Sequence, residues 1–262
     1  MSEYGVVPIE VSQLRKVFQD EGRGELVAVS DLSFRCEEGE IFGLLGTNGA
    51  GKTTTLKMLS TLLKPSSGFA KVMGFEVSTN PQEVRRAIGY LSTTSALYSR
   101  LSCRETLDFF ARINGYPENK IKARVDHLVE RFGLSEYADA RIERLSTGMK
   151  QKVAIARTVA HDPPVVILDE PTNGLDILNV LDFHKLMREL QEAGKTVLFS
   201  THTMSEAEKL CDRIAVIHRG RILACDSLDA LRNLTEKRYL EDIFVSLLRD
   251  QEEGSDLEAE LS

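Results

Sequence analysis

The sequence has no long uninterrupted run of apolar residues, no closely paired cysteines and no excess of basic charge. A helix that crosses a bilayer needs about 20 consecutive apolar residues, so we expect no segment of this chain to span a membrane. The first residues also lack a basic region followed by an apolar stretch. We therefore expect no secretory signal.

The cysteines are scattered along the chain, and no two of them form a Cys-x-x-Cys pair. Such scattered cysteines suggest neither a zinc ribbon, which uses Cys-x-x-Cys pairs, nor a disulfide framework, which is typical of cysteine-dense secreted domains. We therefore expect reduced thiols packed among other side chains, at Cys36, Cys103, Cys211 and Cys225.

The formal net charge is −7, which argues against a dense basic face on the surface. Because binding to nucleic-acid phosphates requires such a surface, we expect neither DNA nor RNA as a partner. Hydrophobic residues make up 42% of the chain and charged residues 28%, values that are typical of folded globular proteins rather than disordered or fibrous ones. A length of 262 residues allows one large domain, or one domain with a smaller subdomain.

Apolar runs separated by turn residues predict strands in the first part of the chain, at residues 9–11, 26–29, 33–36 and 41–45. The last of these runs directly into a glycine-rich loop and then a helical stretch at residues 52–63. Residues 64–68 break that helix, and short strands are expected at residues 70–77.

A helical insertion is predicted for residues 101–160, where apolar residues recur at steps of three and four. A second α/β half follows, with buried strands at residues 165–168 and 196–199 on either side of a helix at residues 177–193. Residues 214–217 and 222–224 predict a hairpin. From residue 246 the acidic composition predicts a disordered tail.

The glycine-rich loop fits the pattern G-x-x-x-x-G-K-[ST] and lies between a predicted buried strand and a helix. Glycines let backbone N–H groups approach phosphate oxygens, and Lys52 adds a positive charge near the β- and γ-phosphates. Thr53 is expected to place its hydroxyl on Mg²⁺. The alternative is a glycine-rich turn that happens to precede a lysine, and the strand-loop-helix context makes it improbable. The expected phosphate-binding residues are Gly46, Thr47, Asn48, Gly49, Ala50, Gly51, Lys52, Thr53 and Thr54.

Two carboxylates, Asp169 and Glu170, end the apolar strand of the second half. The carboxyl end of a parallel strand faces the crevice where such sheets bind ligands. We expect Asp169 to hold Mg²⁺ through water and Glu170 to act as general base or to orient the attacking water. Taken alone, this pattern is more often a strand that meets a polar loop, but the phosphate loop reverses that preference.

Residues 145–151, Leu-Ser-Thr-Gly-Met-Lys-Gln, resemble the LSGGQ signature of ABC ATPases. Thr147 stands for the first glycine and Met149 for the glutamine, while Ser146 and Gly148 are kept. Ser146 can cap a helix and leave backbone N–H groups free for an anion. On the residues alone, a simple helix cap remains an equal alternative.

Other segments resemble the same family in the family's order. Residues 171–176 resemble the D-loop, which ends at Asp176, and His202 resembles the switch histidine that contacts the γ-phosphate. Phe18 takes the place of the aromatic that stacks on adenine. Thr93 takes the place of the Q-loop glutamine, which in the family touches Mg²⁺ or its water, and its side chain is shorter.

The resemblance implies a P-loop NTPase (RecA-like) α/β core with an N-terminal antiparallel β subdomain and an α-helical insertion that carries the signature. The implied ATPase domain covers residues 5–245, with the core at about 5–90 and 163–230 and the helical subdomain at about 91–162. It further implies ATP and Mg²⁺ as cofactors, and a head-to-tail pair with a second copy or a homologous ATPase. Polytopic membrane permease subunits would hold the pair at the cytoplasmic face of the cell membrane.

Within that family the motifs are most similar to the NatA-type branch, whose ATPase serves a sodium-exporting ABC-2 system. This predicts Na⁺ efflux as the transport reaction. Export of drugs, lipids or glycans is the alternative, because the cargo pathway lies in another chain. A soluble ABC ATPase, such as a cluster-assembly factor, is a further alternative.

Overall fold

The computed structural model describes residues 6–20, 22, 24–92 and 96–260. Within these residues, ten strands form a mixed sheet in the order β5-β4-β1-β2-β10-β9-β3-β8-β7-β6. The strands are β1 (Ile9–Asp20), β2 (Gly24–Cys36), β3 (Ile41–Gly46), β4 (Ser67–Val72), β5 (Phe75–Glu76), β6 (Ile88–Leu91), β7 (Val165–Asp169), β8 (Thr196–Thr201), β9 (Arg213–His218) and β10 (Arg221–Asp226). The helices are α1 (Lys52–Leu59), α2 (Pro81–Ala87), α3 (Cys103–Ile113), α4 (Glu118–Arg131), α5 (Thr147–Thr158), α6 (Ile177–Glu192), α7 (Met204–Leu210), α8 (Leu228–Thr235) and α9 (Leu240–Glu260).

The centre of the sheet is parallel, with β3 paired to both β8 and β9, and β7 paired to β8 and β6. Every residue of β3, β7 and β8 is buried. This explains why their sequences are nearly continuous apolar runs, since a parallel strand is covered on both faces. The loops that follow β3, β7 and β8 therefore meet at one edge of the sheet.

The other part of the sheet is antiparallel and contains β1, β2, β4 and β5. The two segments predicted at residues 26–29 and 33–36 are one long strand, β2, because pairing with β1 continues through register shifts rather than ending at a turn. A parallel bridge between Asp31 and Arg221 connects this part to β10.

The helical insertion contains α3, α4 and α5, and its apolar faces pack in one cluster with the sheet. Leu107, Val125 and Val153 belong to the same buried group as Val166 and Phe199. A capping box starts α3, where Ser102 Oγ accepts from Glu105 N at 3.1 Å and Ser102 N donates to Glu105 Oε2 at 2.8 Å.

Two predicted boundaries differ from the structure. Helix α1 ends at Leu59 rather than near residue 63, and Thr61 then adopts a left-handed backbone with φ 62°. The tail predicted to be disordered from residue 246 instead belongs to α9, which runs to Glu260. Phe244 and Leu247 are buried in one apolar cluster with Ala207 of α7 and Leu231 of α8, so the helical spacing of apolar residues outweighs the acidic composition. None of the helices in the described residues has the length and apolar character needed to cross a bilayer.

Candidate functional site

The loop between β3 and α1 is shaped by glycines with left-handed backbone angles. Gly49 has φ 82° and Gly51 has φ 105°. A Cβ atom on Gly51 would lie 2.7 Å from Ala28 O, and one on Gly46 would lie 2.3 Å from Ile217 O. Only glycine fits such positions without displacing neighbouring backbone. The predicted phosphate loop therefore has the close backbone path that its sequence pattern requires.

The Lys52 side chain is buried beneath this loop, with 4% of the residue exposed. Its Nζ donates to Gly46 O at 2.8 Å and to Thr47 O at 3.2 Å, and lies 3.3 Å from Glu170 Oε1. A buried ammonium group is stable only among such oxygens. The loop thus holds a positive charge at the edge of the sheet next to the carboxylates that follow β7.

Asp169 connects the two halves of the site. Its Oδ1 accepts from Thr53 Oγ1 at 3.0 Å and from Ser200 Oγ at 2.7 Å. The residue is 1% exposed, and its Oδ2 is buried with no hydrogen-bond partner among the described residues.

One carboxylate and one hydroxyl suit Mg²⁺, which keeps several waters and takes its remaining ligands from substrate phosphates. Within the described part of the chain, no cluster of three or more His, Cys, Asp or Glu side chains forms a metal cage. Asp169 and Thr53 are therefore the residues that could hold Mg²⁺, with the buried Oδ2 of Asp169 available to accept a hydrogen bond from a metal-bound water.

Glu170 has an unusual backbone for a residue with a side chain, with φ 46°. Its N–H donates to Ser200 Oγ at 3.0 Å and to Ser200 O at 3.2 Å. The side chain extends between two cationic or titratable groups, since Oε1 lies 3.3 Å from Lys52 Nζ and 3.4 Å from His202 Nδ1. A carboxylate held in this way can take a proton from a water beside bound phosphates.

Phe18 lines the same groove as the phosphate loop, together with Asn48, Thr54, Lys52 and Glu170. The ring is partly exposed, and Lys16 Nζ lies 5.2 Å from its centroid. An aromatic face at the mouth of a phosphate site can stack on a planar base. The structure therefore brings Phe18 to the groove where the resemblance to ABC ATPases predicts an adenine contact.

The signature segment lies elsewhere. Ser146 caps α5, accepting from Met149 N at 3.3 Å, and both Ser146 and Thr147 are exposed. Neither these residues nor Gly148 lines the groove that contains Lys52. The half-site expected to contact ATP from a second chain is thus presented outward at the start of a helix.

Of the two remaining candidates, Asp176 does not line the groove. Asp176 caps α6, and Asn179 N donates to its Oδ1 at 3.0 Å, a hydrogen bond that lowers the pKa of Asp176. Thr93, predicted to stand in for the Q-loop glutamine, lies outside the described residues.

Ser200 is the site residue that the sequence did not assign. It joins both carboxylate positions, since its hydroxyl donates to Asp169 and accepts from the N–H of Glu170. The available signal was its position at the end of a buried strand, two residues before His202. That position predicts the correct edge of the sheet, although it does not predict the partner.

Comparison with known proteins identifies the family. The family model described as ABC transporter matches residues 29–173, more than half of the chain. The chain belongs to the ABC transporter family. It is 41% identical to the ABC transporter ATP-binding protein NatA of Bacillus subtilis, over 92% of this chain and 98% of that protein.

Other relatives of this ABC ATPase are named for Nod factor export and for multidrug transport. It is 41% identical to the Nod factor export ATP-binding protein I of Burkholderia pseudomallei, over 84% of this chain and 70% of that one. It is 36% identical to the probable multidrug ABC transporter ATP-binding protein YbhF of Escherichia coli, over 94% of this chain and 42% of that one.

Solved structures agree with the fold of the ABC ATPase. An ATP-binding subunit of an ABC transporter superposes with a TM-score of 0.83 at 32% identity, covering 92% of this chain and 99% of that one. The cassette MJ0796, in a dimeric post-hydrolysis state bound to ADP and Pi, gives a TM-score of 0.76 at 25% identity, covering 84% and 98%.

These comparisons confirm three predictions from the sequence: membership of the ABC family, the P-loop NTPase fold and ATPase activity. The chain is the ATP-binding subunit of an ABC transporter. The similar solved structures of the cassette MJ0796 are dimers, which supports self-dimerisation of this chain.

Proposed function

We propose that this chain is the motor subunit of an exporter and works as a head-to-tail pair, either of two copies or with a homologous ATPase. The observation that carries the proposal is the separation of two half-sites within one chain. The groove with Phe18, Lys52 and Glu170 contains no signature residue, while Ser146 at the start of α5 is exposed. Two chains in opposite orientation would join each groove to the signature segment of the partner copy.

Each residue of the groove has one role in this proposal. Lys52 and the loop N–H groups bind the phosphates, and Phe18 stacks on adenine. Glu170 accepts a proton from the attacking water or orients it, and His202 contacts the γ-phosphate. When bound at Thr53 and Asp169, Mg²⁺ would neutralise charge between the phosphates.

The signature and D-loop residues act across the pair. The backbone N–H groups at the start of α5, beside Ser146, Thr147 and Gly148, would meet the γ-phosphate held by the other chain, because a helix N-terminus favours an anion. Asp176 would lie at the same interface. ATP then holds the pair closed, and hydrolysis releases it.

The membrane partners are polytopic permease subunits, which would place the pair at the cytoplasmic face of the cell membrane. Relatives named as transporter ATP-binding proteins support this arrangement. A cluster-assembly factor is the alternative, and it would have a soluble partner.

Sodium is the proposed cargo. Its support is the resemblance of the signature, D-loop and switch segments to the NatA-type branch, together with 41% identity to NatA over most of both chains. A different exported cargo is the second candidate, favoured by the similarity to proteins named for Nod factor export and for multidrug transport.

The test is purification of the tagged chain from the solubilised membranes of its own host, together with the proteins that accompany it, followed by Na⁺ transport. In inside-out vesicles supplied with ATP, Na⁺ is expected to accumulate in the lumen with the wild-type chain and not with Glu170→Gln. Copurification of soluble proteins alone would overturn the transporter role. ATP hydrolysis by the membrane complex without Na⁺ movement would overturn the cargo and favour the second candidate.

A further inference from the structure

A side chain on the signature helix reaches the loop that carries Glu170. Gln151, in the first half of α5, donates from Nε2 to Pro171 O at 2.7 Å. Pro171 is buried and directly follows Glu170. Gln151 itself is half-buried and does not line the groove that holds Lys52 and Phe18.

The backbone of Glu170 needs support from its surroundings. A residue with a side chain is strained at φ 46°, and such a conformation persists only when neighbouring contacts hold it. On one side, Ser200 of β8 accepts from Glu170 N through both Oγ and O. On the other side, the Gln151 amide holds the next carbonyl, Pro171 O. The backbone on the two sides of Glu170 is therefore held from two different elements, β8 and α5.

We propose that Gln151 is a positioning residue for Glu170, acting through Pro171 O to hold the carboxylate where it meets the attacking water. The inference rests on the general-base role given to Glu170 in the proposed function. Without the amide donor, the loop after β7 relaxes, and the carboxylate leaves its place between Lys52 and His202.

The adjacent residue provides a matched control. Lys152 lies next to Gln151 on α5 and pairs with Asp182 of α6 at 2.9 Å. This ion pair also fastens the signature helix to the segment after β7, but it does not touch the loop beside Glu170. Because it is partly exposed, its loss is expected to change stability little.

The test compares Gln151→Met with Lys152→Met in steady-state ATP hydrolysis by the full chain. Methionine keeps the length and helix preference of glutamine but has no N–H donor. We expect Gln151→Met to lower kcat about tenfold or more with KM for ATP within about twofold, since a positioned base contributes about 10²–10⁴ to rate but little to binding. Lys152→Met is expected to stay within about twofold of wild type in both constants.

A donor-restoring variant and a double-variant cycle separate positioning from a structural role. Gln151→Lys keeps a donor in reach of Pro171 O and is expected to recover much of the lost kcat. If Gln151→Met does not fold, the test is the comparison of kcat between Gln151→Lys and Lys152→Met. A tenfold lower kcat in Gln151→Lys, despite its restored donor, would overturn the inference. In a Glu170→Gln chain, Gln151→Met is expected to change the single-turnover rate by less than about twofold, because no base remains to be positioned.

Several outcomes contradict the inference alone. They are an unchanged kcat in Gln151→Met, an equal loss in Lys152→Met, or an equal additional loss in the Glu170→Gln background. Normal turnover in Glu170→Gln itself would instead overturn the role of Glu170 in the proposed function, and the inference with it. A defective Glu170→Gln beside a normal Gln151→Met leaves the proposed function standing.

Discussion

The two segments that we propose to contact phosphates differ in how many supporting contacts a single copy of the chain provides. The loop after β3 is supported by contacts within the same chain, since Lys52 is buried and Asp169 accepts hydrogen bonds from Thr53 and Ser200. The segment that starts α5 is exposed, and its capping bond joins Ser146 to Met149 within the same turn. In the proposed pair, the first segment is a finished half-site, with its supporting contacts made within one chain, whereas the second receives its ligand from the partner copy. Mutations in the two segments should therefore affect ATP binding and ATP turnover independently.

The largest effect is expected from Glu170→Gln, which keeps the shape of the side chain but cannot accept the proton of water. ATP turnover should fall by about 10²–10⁴, the usual contribution of a positioned base. ATP should still bind, so the variant is expected to accumulate as an ATP-bound dimer. Size-exclusion chromatography with and without ATP, together with steady-state hydrolysis, measures both results. Normal turnover would remove Glu170 from its assigned role.

Lys52→Ala tests the finished half-site alone. Removing a buried ammonium that faces the phosphates should weaken ATP binding to the single chain by about 10–100-fold, since charged hydrogen bonds contribute about 1.5–3 kcal/mol. Lys57→Ala is the matched control, a lysine in the last turn of the same helix, and its affinity should match wild type. Equilibrium binding of a fluorescent ATP analogue checks both, and equal losses would contradict a specific phosphate contact.

Ser146→Glu tests the exposed half-site, and is best placed in the Glu170→Gln chain. An added carboxylate at the start of α5 should repel the γ-phosphate of the partner copy, so the ATP-dependent dimer should weaken by about tenfold or more. Binding of ATP to the single chain should not change, because the groove contains no signature residue. Sedimentation velocity and nucleotide binding report the two properties separately.

Ser227→Glu is the control for that experiment. Ser227 caps α8 as Ser146 caps α5, with an N–H···Oγ distance of 3.3 Å in both. Each substitution removes a cap, which costs about 1 kcal/mol of stability. If Ser227→Glu weakened the dimer as much as Ser146→Glu, the loss would come from destabilised helices and not from the phosphate contact.

The smallest effect is expected at the contact between the end of the helical insertion and strand β6. His161 follows α5, and its Nε2 lies 3.0 Å from Ile88 O of β6. Burial lowers the pKa of His161. The unfolded chain therefore binds a proton at this histidine more readily than the folded chain does. The contribution of His161 to the free energy of unfolding is present above the ordinary pKa of about 6.5 and is lost as pH falls through the pKa of the folded chain.

The expected result is a thermal midpoint that decreases by a few degrees between pH 7.5 and pH 5.5, with a smaller decrease in His161→Gln. Glutamine can donate to Ile88 O and does not titrate. His127→Gln, at an exposed position on α4, should retain the pH dependence of the wild-type chain. If the thermal midpoint decreased equally with pH in the wild type, His161→Gln and His127→Gln, His161 would not be the cause of the loss of stability in acid.

The sequence predicted the site best where its residues are adjacent in the chain. The phosphate loop, the two carboxylates after β7 and the serine that caps α5 were each recognisable because one turn or one strand end defines their role. Boundaries set by packing were harder to predict. The acidic residues after 246 suggested disorder, whereas burial of Leu247 places the chain in α9.

Contacts between distant segments had no sequence signal. Thr53 and Asp169 are 116 residues apart, and Ser200 lies 31 residues beyond Asp169, yet the three side chains form one hydrogen-bonded group. The contact of Gln151 with Pro171, beside Glu170, likewise forms only when α5 packs next to the loop that follows β7. Sequence periodicity reports which face of an element is apolar, but not which polar side chain it will meet.

By itself, the sequence determined the kind of chemistry: a glycine loop with Lys52 after a buried strand, and a carboxylate pair after another. These features depend on local backbone geometry, which a few adjacent residues specify. The tertiary structure decided that Lys52, Glu170 and His202 converge at one edge of the sheet, while Ser146 is presented elsewhere on the surface. The physical reason is strand order, since β3, β7 and β8 become neighbours only when the whole parallel sheet is assembled.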